Sequence, residues 1–156
     1  KYQYIGGIPV GGGTLIGLSK LLLNETNIES ISKLANAGDR SVVDFLIKDV
    51  VSGINILKPN LSASNFAKVS EGIHRKEDIS KALTNMIGEI IGTVAFSNAL
   101  IFQKEEIYFI GRTFLEPNVK SAIDERLAIA GISGIYSSSL GFENCLGILD
   151  FIKENY

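Results

Sequence analysis

Three consecutive glycines and a threonine, Gly11-Gly12-Gly13-Thr14, carry the clearest chemical signal in the sequence. They follow a segment from Gln3 to Val10 whose Tyr, Ile and Val residues predict a short strand, made irregular by Gly6, Gly7 and Pro9. They precede an apolar helical pattern of Leu15, Ile16, Leu18, Leu21 and Leu22 that ends near Asn24. Glycines let backbone approach a ligand with no Cβ in the way. The free N–H groups of a helix start favour an anion, and a phosphate of ATP is the natural candidate. A glycine turn that binds nothing satisfies the same four residues. The corner is not a P-loop, since no Gly-Lys-Ser/Thr follows, and it is not the dinucleotide fingerprint. A second candidate is Ile107 to Arg112. Its apolar run ending in Gly111 predicts a buried parallel strand with backbone exposed at the carboxyl edge of a sheet, where ligands bind in open α/β folds. Arg112 there meets a phosphate or a base, or is a surface arginine in a strand-to-helix turn.

Other reactive side chains read as structural. Asp39, Asp44 and Asp49 suggest a metal, but a cap at Asp39 with the other two solvated or ion-paired explains them better. His74 lies in a charged stretch, His74-Arg75-Lys76-Glu77-Asp78, and reads as a surface residue. Cys145 sits among apolar helical residues and reads as a buried inert thiol. One cysteine and one histidine cannot build a zinc site or a disulfide framework.

The elements that must position these residues follow from periodicity and caps. Asn27 caps a second helix with Ile28, Ile31, Leu34 and Ala35, stopped at Gly38. Ser41 caps a third, carrying Val42, Val43, Phe45, Leu46, Ile47 and Val50. Residues 52–64 read as a loop and Asn65 to Glu71 as a short helix. A long helix starts near Asp78, with Ile79, Leu83, Met86, Ile87, Ile90, Val94 and Leu100 as its stripe. Gly88 and Gly92 clear one face of it for another backbone, either within the core or at an interface between copies. Pro117 opens a helix that runs to about Ala130. Ile132 to Tyr136 is a strand, and Phe142 to Asn155 is a helix with Leu146, Leu149 and Ile152 on one side. Strands alternating with helices predict an α/β layered domain with a largely parallel sheet.

Composition fits one domain. A chain of 156 residues with 46% hydrophobic residues can bury a core without metals or disulfides. The net charge of -2, with no basic stretch, argues against a nucleic-acid partner. The longest apolar stretch, Met86 to Leu100, is too short for a membrane span and is interrupted by Glu89 and Asn98. The cysteine count and the lack of a secretory leader fit a cytoplasmic protein. A first residue other than Met is expected of a chain cut from a longer one.

The run Tyr4-Ile-Gly-Gly-Ile-Pro-Val-Gly-Gly-Gly-Thr14, followed by Gly17-Leu18, resembles the glycine-rich phosphate segment of type II (eukaryotic-like) pantothenate kinases. Gly38-Asp39-Arg40 with Asp44 and Asp49 resembles the family's Gly-Asp segment, and Ser64-Asn65-Phe66 a later one. Asn85, Gly88 and Glu89 resemble its central helix, Ile107 to Phe114 its strand turn, and Phe142 to Leu149 its last helix start. The pieces share one order over nearly the whole chain.

The resemblance implies an actin-like ATPase (ribonuclease H-like) domain with a central mixed sheet and flanking helices. It implies that residues 1–156 form the C-terminal nucleotide-binding half of a two-domain, homodimeric kinase. That kinase uses ATP and Mg²⁺ to phosphorylate pantothenate, the first step of coenzyme A biosynthesis. Gly11, Gly12, Gly13, Thr14, Gly111, Arg112 and Phe142 are the implied nucleotide contacts. The catalytic Glu and the metal ligands belong to an N-terminal half that nothing here matches, so the chain alone is expected to be inactive. Tyr4 stands where the family has an Arg that contacts substrate, and Ile8 where it has Thr. Glu143, Asn144 and Cys145 replace a more usual Phe or Ser, Gly and Ala. These departures leave two other readings: a non-catalytic or divergent paralogue acting as a regulatory or dimerisation module, and a related small-molecule kinase, such as one acting on N-acetylglucosamine.

Overall fold

In the computed structural model, residues 3–51, 58–139 and 141–155 are described. The longest element is α4, Lys76–Ile101, with Glu77 and Asp78 in its first turn, where negative charge complements the helix dipole. Before it come α1 (Gly12–Leu23), α2 (Ile28–Asn36), a 3-10 turn (Arg40–Val42), β1 (Phe45–Leu46), α3 (Ile47–Val50), β2 (Ser62–Ser64) and a 3-10 turn (Val69–Glu71). After it come β3 (Glu106–Phe109), a 3-10 turn (Thr113–Leu115), α5 (Pro117–Ile129), β4 (Ser133–Tyr136) and α6 (Glu143–Asn155).

Helices α1 and α2 form where caps and periodicity place them. Asn24 ends α1 in the left-handed region at φ 59°. The Asn27 side chain accepts hydrogen bonds from the N–H groups of Glu29 and Ser30. Helices α1, α2 and α5 all pack on α4. Leu15, Ile31, Leu83, Ile87, Val119, Ile123 and Leu127 form the shared core. Each such side chain contributes about 1.5–3 kcal/mol on burial. The far end of the α4 stripe leaves this core, with Leu100 56% exposed.

Gly88 and Gly92 face α5. A Cβ on Gly88 would overlap the Val119 carbonyl and lie 2.6 Å from Ala122 Cβ; one on Gly92 would lie 2.8 Å from Arg126 Cβ. The backbone that uses this cleared face is therefore the chain's own α5. A close backbone was expected there, and it belongs to the core rather than to an interface between copies.

The strands form two separate ladders among the described residues. β1 and β2 pair antiparallel, and β3 and β4 pair parallel with Glu106 opposite Ser133 and Phe109 opposite Tyr136. The class is α/β, but these ladders are not one central mixed sheet. The strand expected to be buried over Ile107 to Ile110 is half open, with Tyr108 70% exposed.

Three expected elements differ. Gln3 to Val10 is not a strand, since no ladder partner lies beside it among the described residues. The third helix is replaced by the 3-10 turn, β1 and α3. Asp44 is fully buried, accepts the Phe66 N–H at 2.8 Å and lies 3.5 Å from Arg40, so it is paired but not solvated. Asp49 accepts the Leu46 N–H and the Lys68 ammonium. These long-range ties divert the chain from a continuous helix. Asp39 does cap the turn, accepting the Ser41 N–H. The short helix over Asn65 to Glu71 is broken because Phe66 sits at φ 59°. Of the loop read over 52–64, residues 52–57 lie outside the described residues, and its end is β2.

The reactive side chains also shift. His74 is half-buried rather than at the surface. Cys145 is exposed, because α6 turns away from the core and leaves Leu146, Leu149 and Ile152 each 47% exposed.

Candidate functional site

The two glycine segments picked out in the sequence meet in the structure. Gly11 is the N-cap residue of α1, in extended backbone, and the Thr14 hydroxyl accepts its N–H at 3.3 Å. Glycine has no side chain to return that bond, so only half of a capping box exists. The Thr14 hydroxyl also donates to the Pro9 carbonyl at 3.3 Å, which ties the entering chain to the helix start. The first amides of any helix lack intrahelical acceptors, and α1 has no acidic residue in its first turn to answer them. Gly13 is exposed, and Gly12 faces Thr113 so closely that a Cβ would lie 3.0 Å from the Thr113 Oγ1. The glycine corner thus abuts the turn after β3.

That turn lies at the carboxyl end of the parallel pair. Gly111 sits at φ +104°, in the region that favours glycine. Aromatic packing fixes the turn from below. Phe109 stacks on Tyr136 with ring centroids 5.0 Å apart, and Phe114 meets the same ring at 5.2 Å. Burial, then a hydrogen bond to Asp124 at 2.6 Å, push the Tyr136 hydroxyl far above its ordinary pKa, so it stays a donor. The buried Glu116 caps α5 by accepting the Val119 N–H at 2.6 Å.

Arg112 is exposed and lies across Gly141 in the turn after β4; a Cβ there would meet the Arg112 Cδ at 2.9 Å. Phe142 follows, with its ring 63% exposed. The Glu143 carboxylate then accepts the Gly111 N–H at 3.2 Å and the Gly141 N–H at 3.3 Å. Its own backbone N–H, the Ser137 hydroxyl and these two amides hold the Glu143 carboxyl below its usual range.

Gly11 to Thr14, Gly111, Arg112 and Phe142 therefore belong to one neighbourhood. Tyr4 is not drawn into it: its ring is 87% exposed and its hydroxyl lies over Gly7. Thr113, Gly141 and Glu143 were not expected. Gly141 carries a readable signal, being a glycine between a parallel strand and a helix, as Gly111 is. Glu143 carries none, because its contact with Gly111 spans 32 residues.

A cavity of about 600 Å³ lies elsewhere, between the Gly38–Ser41 turn, α4 and α5. Arg40, Lys81, Asn85 and Asn118 are among its walls, and it shares no residue with the glycine corner. Lys81 donates to Asn118 at 2.6 Å there. Among the described residues, no three His, Cys, Asp or Glu side chains converge as a metal cage, and no helix is long and apolar enough to cross a membrane.

Fold and site together define an α/β protein in which a helix start abuts the turn after a parallel strand. The chain belongs to the Fumble family, whose model matches residues 1–129. That span includes the glycine corner and Arg112 but stops before Phe142. The chain is 37% identical over 120 residues to pantothenate kinase 1 of Arabidopsis thaliana, covering 71% of this chain and 31% of the relative. It is 37% identical over 116 residues to a type II pantothenate kinase of Bacillus cereus (strain G9842), covering 71% and 42%. It is 35% identical over 120 residues to pantothenate kinase 2 of Oryza sativa subsp. japonica, covering 71% and 13%. The chain thus spans less than half the length of these relatives.

Proposed function

We propose that this chain is the C-terminal, nucleotide-binding half of a kinase that transfers a phosphoryl group from ATP to pantothenate, the first step toward coenzyme A. One observation carries the reading: the α1 start and the Gly111–Thr113 turn meet at the carboxyl ends of parallel strands. Donors in that arrangement suit a phosphorylated ligand. The family and the relatives' printed names supply the substrate. In the intact protein, residues outside this chain complete an actin-like domain with a central mixed sheet, in a cytoplasmic homodimer.

The residues present fit ATP. The first-turn amides of Gly12 and Gly13 would hold phosphate oxygens, Arg112 would add charge, and the exposed Phe142 ring would lie against the base. When bound, ATP supplies the phosphoryl group. Phosphoryl transfer also needs Mg²⁺ and a group that handles the hydroxyl proton. Among the described residues no acid cluster near the corner fits the metal, and its ligands and the catalytic carboxylate are assigned to the other half. Tyr4 supports a second reading. Exposed and uncharged, it offers no charged partner for the pantothenate carboxylate, as a non-catalytic paralogue or a kinase for another small molecule would allow.

The test uses the intact protein with ATP labelled on its γ-phosphate and a panel of acceptors. Label on pantothenate alone is expected. Label on an amino sugar instead would redirect the substrate, and label on nothing would leave the regulatory reading.

A further inference from the structure

The Glu143 carboxylate occupies a place built for an anion. The N–H groups of Gly111 and Gly141 donate to its two oxygens, and the Ser137 hydroxyl lies beside it. These donors come from two different turns, each at the carboxyl end of one strand of the parallel pair. Amides converging from successive turns form concavities that hold anions. An acidic residue in the first turn of α6 also complements the helix dipole, but that role needs no contact with Gly111. Next to this filled place stands the α1 start, whose first turn holds no acidic residue. The two are joined through the close approach of Gly12 to Thr113. The site therefore sets a helix start without an acidic first turn beside donors that the chain's own carboxylate takes up.

We propose that Glu143 is an internal anion that competes with a nucleotide's phosphates for the turn after β3, and so sets how tightly this site takes a phosphorylated ligand. The inference rests on the nucleotide reading above. A phosphate oxygen that bonds the Gly111 N–H must displace the carboxylate or lie beside it, and like charges a few ångströms apart repel. Displacement needs only a side-chain rotation, because Glu143 is half-exposed at the start of α6.

The experiment is calorimetric titration of the intact protein with ATP, pyrophosphate and adenosine, for the wild type, Glu143→Gln and Glu143→Asp. Glu143→Gln keeps the shape and removes the charge, so ATP and pyrophosphate are expected to bind about five- to tenfold tighter, with adenosine unchanged. Glu143→Asp cannot span both amides and is expected to tighten ATP by a smaller factor; its result decides if Glu143→Gln does not fold. Equal or weaker ATP binding by the folded variant, with adenosine still bound, overturns the competition and leaves the nucleotide site standing. Weaker binding of ATP and adenosine alike would mean that Glu143 only pins the two turns, which also overturns it. A wild type that binds none of the three probes defeats the nucleotide reading itself, and the competition with it.

Discussion

The same substitution, glycine to alanine, is expected to change stability in opposite directions at two helical sites. At Gly88 the new methyl would overlap the Val119 carbonyl and stand 2.6 Å from Ala122 Cβ. Carbon atoms settle at about 3.5–4.0 Å, so α5 must retreat by about 1 Å. Overpacking of that kind costs about 1–3 kcal/mol, and more where the obstacle is backbone. Alanine returns about 1 kcal/mol through helix propensity. Because a carbonyl cannot rotate away, Gly88→Ala is expected to destabilise by about 2 kcal/mol net. At Gly17, inside α1, nothing lies within 4 Å of the added methyl. Only the propensity gain remains, so Gly17→Ala is expected to stabilise by about 0.5–1 kcal/mol. Urea unfolding of the intact protein reads both as midpoint shifts of opposite sign. Equal shifts at the two sites, or a Gly88→Ala protein as stable as the wild type, would refute the claim that α5 packs directly on the Gly88 face.

Other substitutions test the site and its supports. Gly141→Ala places a methyl against the Arg112 side chain at a backbone φ of +89°, so it is expected to weaken ATP binding severalfold in calorimetry while the core melts normally. Asp78 accepts Arg75 at 2.6 and 2.9 Å and the Asp39 N–H at 2.9 Å, and the Arg75 guanidinium foremost holds its carboxyl below the usual range. Its folded pKa is thus below the unfolded one, so its contribution is full above about pH 4 and is lost as pH falls through the folded value. Asp78→Asn is therefore expected to cost about 1 kcal/mol at neutral pH and to flatten the fall in melting temperature between pH 5 and pH 2, seen by calorimetric scans. Tyr4→Arg is expected to lower the KM for pantothenate by roughly tenfold if a charge-assisted bond to the carboxylate forms, and steady-state kinetics on the intact protein would show it. An unchanged KM would place the carboxylate elsewhere.

What the sequence disclosed tracks how local each determinant is. Asn27 capping α2, Pro117 opening α5 and the period of α4 act within a turn or two, and those helices form as read. The segment from Asp39 to Val50 shows the opposite. Its apolar residues satisfy a helical template, yet Asp44 bonds a backbone group 22 residues away and Asp49 a lysine 19 away. Those partners cannot be seen from within the window. Gln3 to Val10 has a strand's composition, but a strand exists only as half of a ladder. The site divides in the same way. Gly11 to Thr14 and Gly111 could be picked out one by one, because glycine corners beside strands and helices have a local signature. Their meeting through Thr113, and the reach of Glu143 back to Gly111, depend on how α4 and the parallel pair bring the two ends together.

The position of the site follows from where its two halves are anchored. Leu15 directly follows Thr14, and Phe114 directly follows Thr113. Both are buried, at 2% and 6% exposure, in one hydrophobic cluster with Leu83, Ile87 and Ile123. Thr14 and Thr113, the residues that tie each half together, are therefore each one residue from a core anchor, and both anchors join one cluster with residues of α4 and α5. Movement of one half relative to the other would have to disturb that cluster; its α4 and α5 residues meet at a close seam. The missing side chains of Gly88 and Gly92 let its helices close to backbone contact. The small residues of the seam thus support the core that anchors both halves. The proposed nucleotide would meet two turns already anchored to one core, so that the Glu143 side chain is the part left to move.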